Sequence, residues 1–360
     1  MPDSTQESKS QSAASDRRRT RFASILVIGG SLVIVLAGVR AAGSIITPFL
    51  ISLFIATMTG PAVFWLHRRR VPRILAVLMV IGSVFGCLTL VGSIAVGSLE
   101  EFNQNLPSYQ EQLESQLQDF SASASGVLDQ FGITSGFADI WSAMDLGTAA
   151  GMARSTLLQL GNVLTKSLLV VLTTLFILFE AFRMRGKLNQ AFLGRTEKTW
   201  SDLKTLVRSL QKYLAVKTLT SLATGLLAGL WVWLLGVDFP VFWGLIAFLF
   251  NYVPNIGSFV AAVPAVLMAI VQYGGATGLL VAAGYVVINI TIGGVIEPNF
   301  MGDSVGLSPL VVFMSLVFWG WMLGGVGMLL STPLTISLKI VLQHYPDTRW
   351  IATLIGSGKT

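Results

Sequence analysis

Two carboxylates stand in a part of the sequence that otherwise excludes charge. Glu297 and Asp303 are the only charged side chains between Phe239 and Leu338. An isolated carboxylate inside a bilayer costs about 2.5–3.5 kcal/mol on insertion scales, so it is rarely kept without a partner or a function. Both acids are therefore candidate proton or cation carriers, with Glu297 first and Asp303 second. The alternative is a surface loop in which both acids contact water, and the spacing alone leaves it open.

Amides and helix-breaking residues occur in the same part of the chain, in FNYVPNIGSF (250–259) and VINITIGGVIEPNFMGDSVGLSPL (287–310). Proline removes a backbone donor and glycine relaxes the chain, and the freed backbone groups must be satisfied by protein or by water in a cavity. Interrupted helices place polar sites near the midplane of transporters; a plain turn at the membrane surface is the alternative. The predicted cavity-lining polar residues are Asn251, Asn255, Asn289, Glu297, Asn299 and Asp303. The predicted backbone-shaping residues are Pro254, Gly257, Pro298, Gly302 and Pro309.

The composition indicates that a membrane surrounds most of the chain. Of its 360 residues, 53% are hydrophobic and 12% are charged, and the mean hydropathy is +0.71. Soluble domains carry about 25% charged residues, so lipid must be the solvent for most of this apolar surface. The net charge of +6 does not indicate nucleic acid, because the basic residues crowd beside apolar runs as the positive-inside rule expects. We therefore predict an all-α polytopic integral membrane protein with lipid as a partner.

The first hundred residues are predicted to hold a tail and three spans. Residues 1–20 are rich in Ser and Gln, which is typical of a disordered tail. Residues 21–98 contain three apolar runs that read as transmembrane helices. Basic clusters at 17–21 and 67–73 place the tail and the second turn on the cytoplasmic side, so the third span is expected to end outside.

A different composition follows in residues 99–155. This segment carries eight acidic residues and one basic residue. Apolar residues recur at helical spacing from Leu106 to Phe120, which predicts an amphipathic helix. We expect an extracytoplasmic helical insert that packs on the membrane domain or on a neighbouring subunit.

Residues 156–342 are predicted to form a C-terminal transmembrane bundle. Its basic amphipathic stretch, 183–212, reads as a cytoplasmic loop. The later apolar runs are shorter than the roughly 20 residues of a full span, which indicates tilted spans or re-entrant half-helices. About eight transmembrane helices are expected, or ten if every short run crosses. With a cytoplasmic tail at 343–360, both termini are expected inside. GxxxG spacings, which favour close helix packing, occur at Gly82/Gly86, Gly225/Gly229 and Gly320/Gly324.

The sequence does not support an enzyme, a metal site or a cofactor site. His67 and His344 lie far apart, with no nearby cysteine or acidic pair to complete a metal site. The GSGKT at 356–360 lacks the first glycine of a phosphate loop. No Ser/His/Asp constellation is visible. We therefore expect no catalytic residues, no metal and no cofactor.

Three segments resemble signature segments of the bacterial autoinducer-2 exporter family: NYVPNIGSF (251–259), GGVIEPNFMGDSVGLSPLVVF (293–313) and FWGWMLGGVGMLLSTPLT (318–335). The resemblance implies a secondary transporter in the bacterial cytoplasmic membrane. Members of the family are linked to export of autoinducer-2 and to sodium/proton antiport, so both a small polar solute and sodium or lithium are expected as substrates to test. A homo-oligomer is also expected. An intramembrane enzyme and a non-transporting envelope scaffold are the alternatives from other functional classes.

Overall fold

The computed structural model describes residues 27, 29–31, 33–131, 167–191, 196–254, 256–301 and 306–357. Within these ranges the chain is helical, and its one β-bridge is an isolated pair between Leu307 and Gly356. The all-α prediction is therefore confirmed.

Twelve α-helices follow one another along the described ranges. The first six are α1 (Gly29–Ala41), α2 (Gly43–Arg68), α3 (Arg73–Phe131), α4 (Ser167–Ala181), α5 (Met184–Ala191) and α6 (Thr196–Leu234). The others are α7 (Pro240–Phe250), α8 (Gly257–Tyr273), α9 (Gly275–Asn289), α10 (Glu297–Met301), α11 (Pro309–His344) and α12 (Arg349–Ile355). A π-helical segment, Ile290–Ile296, joins α9 to α10, and a 3-10 turn, Pro346–Thr348, precedes α12.

Five stretches in the described ranges are long and apolar enough to cross a membrane: Gly43–Arg68, Arg73–Tyr109, Leu203–Leu234, Gly275–Met301 and Pro309–Gln343. Their outward faces carry large apolar side chains such as Leu226 and Leu279, which are 66% and 74% exposed. Such a surface is stable only where lipid replaces water.

Helix α3 continues through the predicted boundary between the third span and the insert. It runs unbroken from Arg73 to Phe131, past residues 98 and 99 and past Pro107. At about 1.5 Å per residue its 59 residues span roughly 90 Å, about three times the hydrocarbon thickness. The start of the insert is therefore an extension of a membrane helix, and residues 132–155 lie outside the described ranges.

Helix α6 likewise joins the predicted amphipathic loop to the span that follows it. The helix starts at Thr196, inside the predicted loop 183–212, and continues without a break to Leu234. Its last third packs closely on α7, because a Cβ atom built on Gly225 would lie 2.7 Å from the carbonyl oxygen of Gly244. The predicted close approach at Gly225 and Gly229 therefore occurs, with α7 as the partner.

Helices α7 and α8 form a hairpin whose turn contains the predicted breaker Pro254. Helix α7 has 11 residues, or about 16 Å, roughly half of the hydrocarbon thickness. The chain reverses between Phe250 and Gly257, and a Cβ atom on Gly257 would collide with the carbonyl oxygen of Phe250, so the turn requires glycine there. Two bonds close the open end of the hairpin: the amide N–H of Asp238 donates to Gln272 (3.0 Å) and the Tyr273 hydroxyl donates to Gly236 (2.9 Å).

The extension of α3 holds the open end of this hairpin. The Tyr109 hydroxyl donates to the Asp238 carboxylate at 2.8 Å, and the Gln116 amide donates to the Val271 carbonyl at 3.2 Å. The Phe102 ring stacks on Tyr109 with centroids 5.8 Å apart. We call this end of the bundle, formed by residues 102–116, 236–239 and 271–275, the distal end.

The helical path from α9 to α10 passes through Pro298, although the sequence argued against a continuous helix there. The amide N–H of Glu297 bonds to the carbonyl of Ile292, five residues back, which is the wider π-helical pattern. This wider turn precedes the proline, whose ring would otherwise crowd the carbonyl four residues before it. Pro298 therefore shifts the helical register and does not end the helix, which continues to Met301.

Helix α11 is a second hairpin, folded at Gly324. This glycine has φ 69° and ψ −152°, which is not helical. The Trp319 indole donates to the Thr335 hydroxyl at 3.1 Å, although a straight helix would separate the two residues by about 24 Å. The first arm starts at Pro309, at the first helical position, where a missing N–H is tolerated.

Candidate functional site

One face of α6 carries a buried polar stripe inside the membrane domain. Lys217, Thr220, Ser221 and Thr224 are all buried. Their spacing of three, four and seven residues places them on one side of a helix. The sequence therefore gives α6 a polar inner stripe, while Leu219, Leu222 and Leu226 are exposed on its other faces.

Lys217 forms an ion pair with Glu297. Its Nζ atom lies 2.7 Å from Oε1 and 2.9 Å from Oε2 of the carboxylate, and the two side chains are 7% and 15% exposed. The Thr220 hydroxyl lies 3.2 Å from Oε2 and 3.1 Å from the Lys217 carbonyl, so it can donate to either oxygen. The charges of Lys217 and Glu297 cancel, so the buried carboxylate is not left uncompensated.

The tip of the α7–α8 hairpin lies against the same stripe of α6. The Asn251 amide donates to the Ser221 hydroxyl at 3.0 Å, and the Tyr252 hydroxyl donates to the Thr218 hydroxyl at 2.8 Å. Ser221 is one helical turn beyond Lys217. The polar tip is thus satisfied by α6, next to the ion pair, as buried polar groups must be in a bilayer.

The ion pair therefore brings together three elements: α6 supplies Lys217 and Thr220, α10 supplies Glu297 at its first residue, and the hairpin supplies Asn251 one turn away. Two of the predicted polar residues, Glu297 and Asn251, meet in this cluster. In the described ranges, the hydrogen-bond partners of the Glu297 carboxylate are Lys217 and Thr220.

The other predicted residues are placed as follows. Asn289 is half-buried and Asn299 is exposed, and neither is a hydrogen-bond partner of the Glu297 carboxylate, although the sequence made them its nearest candidates. Pro254 lies in the hairpin turn and Pro309 at the start of α11. Asn255, Gly302 and Asp303 lie outside the described residues. The carrier and cavity-lining roles of all these residues stay predictions.

Lys217 is the site residue that sequence reasoning missed. It lies five residues after the basic stretch 183–212, which was interpreted as a cytoplasmic loop, and was given no role. One weak signal was available, because hydroxyl residues follow Lys217 at helical spacing. A second buried charge in a membrane protein is the expected partner of the first.

The residues that the structure describes contain no group of three or more His, Cys, Asp or Glu side chains that could hold a metal ion. The cluster around Glu297 offers one carboxylate, hydroxyls and an ammonium. Such a set can bind a proton or a weakly held cation at the carboxylate, or donate and accept hydrogen bonds with a polar solute.

Helices with lipid-facing surfaces that enclose an ion pair and a hairpin tip define a polytopic membrane protein with an internal polar site. The chain belongs to the AI-2E transporter family, since the model of that family, described as "AI-2E family transporter", matches residues 30–347. The family consists of transport proteins and not of enzymes.

Individual relatives agree with the family assignment. The chain is 39% identical to the AI-2 transport protein TqsA of Escherichia coli strain K12, over 92% of this chain and 95% of that one. It is 37% identical to a putative transport protein of Haemophilus influenzae, over 91% and 94% of the two chains. It is 35% identical to the putative transport protein YhhT of Escherichia coli strain K12, over 93% and 95%. The predicted family is therefore confirmed.

Proposed function

We propose that this chain is a secondary transporter that exports a small polar solute, similar to autoinducer-2, across the bacterial cytoplasmic membrane. The observation that carries the proposal is the Lys217–Glu297 ion pair, held inside the membrane domain against the tip of the α7–α8 hairpin. A relative that is 39% identical is named as an AI-2 transport protein, which supports the solute class.

The pair suits a coupling device because its two charges neutralise one another. Separating them inside the membrane leaves each charge uncompensated, which is strongly unfavourable. A proton or cation that binds the Glu297 carboxylate replaces the ammonium as its partner and so allows the pair to open. In this mechanism one state holds the closed pair, and the other holds a neutralised Glu297 with Lys217 exposed to water or solute.

The hairpin provides the moving part of the proposal. Its tip is attached to α6 by the Asn251–Ser221 and Tyr252–Thr218 hydrogen bonds, both between side chains. Bonds of this kind can exchange with water or with solute hydroxyls at modest net cost, about 0.5–1.5 kcal/mol each. A hairpin that detaches from α6 would expose the pair.

A sodium (or lithium)/proton antiporter is the second candidate function. It is favoured by the oxygen groups at the pair, the Glu297 carboxylate with the Thr220 hydroxyl 3.2 Å away, since hard cations prefer oxygen ligands. In this version the ion itself is the substrate, and protons and cations alternate on Glu297. A non-transporting envelope scaffold is a third alternative. A homo-oligomer and two cytoplasmic termini belong to the proposal on sequence grounds.

The test is flux into proteoliposomes of purified protein, with autoinducer-2, sodium and proton gradients imposed separately. The informative variant is the neutral double replacement Lys217→Met/Glu297→Gln, which removes both charges and leaves neither one unpaired. We expect it to assemble but to lose gradient-driven flux of every substrate that the parent carries. Replacement of the surface pair, Glu180→Gln/Lys187→Met, is the matched control and should transport at the parent rate.

The outcome separates the candidates. Autoinducer-2 flux that depends on a proton or sodium gradient supports the exporter, and sodium/proton exchange without autoinducer-2 flux supports the antiporter. A neutral double variant that transports at the parent rate would show that the ion pair is structural and that coupling lies elsewhere. No flux of any substrate by the parent would favour the scaffold.

A further inference from the structure

Two buried hydroxyls lack a hydrogen-bond partner in the described part of the chain: those of Thr224 and Tyr285. Buried hydroxyls in a membrane helix usually donate to a carbonyl one turn back in their own helix. Thr174 bonds to Val170 in this way and Thr335 bonds to Ser331. The two exceptions therefore need a physical explanation, because an unpaired buried polar group is unfavourable.

Thr224 belongs to the polar stripe of α6. It lies seven residues beyond Lys217, which places it about 10 Å from the ion pair in the direction of the distal end. Ala228, one turn further along the same face, is fully buried in an apolar cluster that also contains Tyr285 of α9. The stripe therefore changes from polar to apolar just after Thr224.

Tyr285 reaches this level from the facing helix. The Trp231 indole of α6 donates to the Leu280 carbonyl of α9 at 3.1 Å, which fixes the relative height of the two antiparallel helices. Thr224 lies seven residues before Trp231, about 10 Å, and Tyr285 lies five residues after Leu280, about 7–8 Å, both away from the distal end. On this register the Cα atoms of Thr224 and Tyr285 differ by about 3 Å in height along the bundle.

We propose that Thr224 and Tyr285 line a second polar site, on the distal side of the Lys217–Glu297 pair, that takes a small neutral hydroxyl group. This inference rests on the proposed transport function and adds the direction of the path from the pair, along the interface between α6 and α9. The hydroxyl group comes either from the transported solute or from water, and both satisfy the two side chains by the same hydrogen bonds. A neutral ligand fits because Thr224 and Tyr285 carry no charge. The charges of Lys217 and Glu297, about two helical turns away, cancel one another.

The test uses cysteine accessibility in purified protein, in a Cys87→Ala background. Thr224→Cys should react with 2-hydroxyethyl methanethiosulfonate, a small neutral hydroxyl-bearing reagent, at least about tenfold faster than Ala228→Cys. Ala228 is the matched control because it lies on the same face of α6, one turn away, and is equally buried. Equally slow reaction at the two positions would overturn the proposal.

A stability measurement tests the second residue without any substrate. Tyr285→Phe removes a hydroxyl that has no protein partner among the described residues, so it should lower the unfolding temperature in detergent less than the loss of a hydroxyl bonded to protein. Tyr252→Phe, the control, removes a hydroxyl that donates to Thr218 and should lower it. A loss in Tyr285→Phe as large as in Tyr252→Phe would mean that Tyr285 has a protein partner, and the site would be refuted.

The source of the hydroxyl follows from the same labelling reaction. Slower labelling of Thr224→Cys when autoinducer-2 is added indicates that the solute enters the site, and an unchanged rate indicates that water occupies it. Failure of the two proposals is distinguishable. Fast labelling at Thr224 with full transport by the neutral Lys217/Glu297 variant would remove the coupling role of the ion pair and leave the second site in place.

Discussion

Removal of Lys217 alone should destabilise the protein far more than removal of both charges. At 2.7 Å and an effective dielectric constant of 20, the attraction between Nζ and Oε1 is about 6 kcal/mol. Desolvation of the two ions offsets much of this, but Lys217→Met leaves a buried carboxylate without its cation, and breaking a buried pair in this way costs about 3–5 kcal/mol. The glutamate also loses both of its hydrogen bonds from the ammonium.

The double variant Lys217→Met/Glu297→Gln should recover most of that loss, because it leaves no uncompensated charge. The free energy of unfolding is measured by titration with sodium dodecyl sulfate in mixed micelles, for the parent, both single variants and the double variant. The double-mutant cycle then gives a coupling energy of about 2–4 kcal/mol. The surface pair Glu180–Lys187, whose side chains are 40% and 62% exposed, should give at most about 1 kcal/mol in the same cycle. A Lys217→Met variant within about 1 kcal/mol of the parent would show that the pair is hydrated, and the reasoning on its burial would be wrong.

Two further predictions concern the α7–α8 hairpin. Gly257→Ala should reduce the yield of folded protein, because its Cβ would collide with the Phe250 carbonyl and overpacking costs about 1–3 kcal/mol; Gly293→Ala, whose Cβ would meet no atom within 4 Å, should be tolerated. Equal yields from the two variants by size-exclusion chromatography would contradict the close turn. Tyr109→Phe removes the hydrogen bond to the Asp238 carboxylate and should lower the unfolding free energy by about 1.5 kcal/mol. This is the lower limit for a bond to a charged acceptor, and it applies because Asp238 is exposed. An unchanged unfolding curve would mean that α3 does not hold the hairpin.

Several features of the site could be predicted from the sequence because each is a local signal. A carboxylate in an apolar run marks Glu297, and an amide beside a proline and a glycine marks the turn at 251–257. The GxxxG spacing at Gly225 and Gly229 indicates a helix surface that another backbone can approach closely, which α7 does. In each case the residue type alone restricts the environment that it can occupy.

The partner of Glu297 could not be found in this way because it is 80 residues away in the sequence. Lys217 also lies near the end of a basic segment, where a cationic side chain is ordinarily explained by the cytoplasmic surface. Only the packing of α6 against α10 distinguishes a lysine at the cytoplasmic surface from a lysine that is buried against Glu297. Pairing between distant charges is a tertiary property, which hydropathy and spacing do not contain.

Continuity of the helix at Pro298 was misjudged for a different reason. Pro298 was read as a helix breaker, but the π-helical turn before it accommodates the proline ring, and the helix reaches Met301. The boundary after residue 98 was placed where the composition changes from apolar to acidic. Helix α3 passes this position without any change in its backbone, and the boundary between span and insert stays a prediction.

Helix α6 contacts both the carboxylate and the hairpin tip of the proposed mechanism. It carries Lys217, the partner of Glu297, and Ser221, the partner of the hairpin tip, within one helical turn. The open end of the hairpin is held separately, by the bond from Tyr109 to Asp238 at the distal end. A displacement of the hairpin tip relative to α6 would therefore change the surroundings of the ion pair, while the close contact of α7 with Gly225 and Gly229 and the bond to α3 hold the rest of the hairpin.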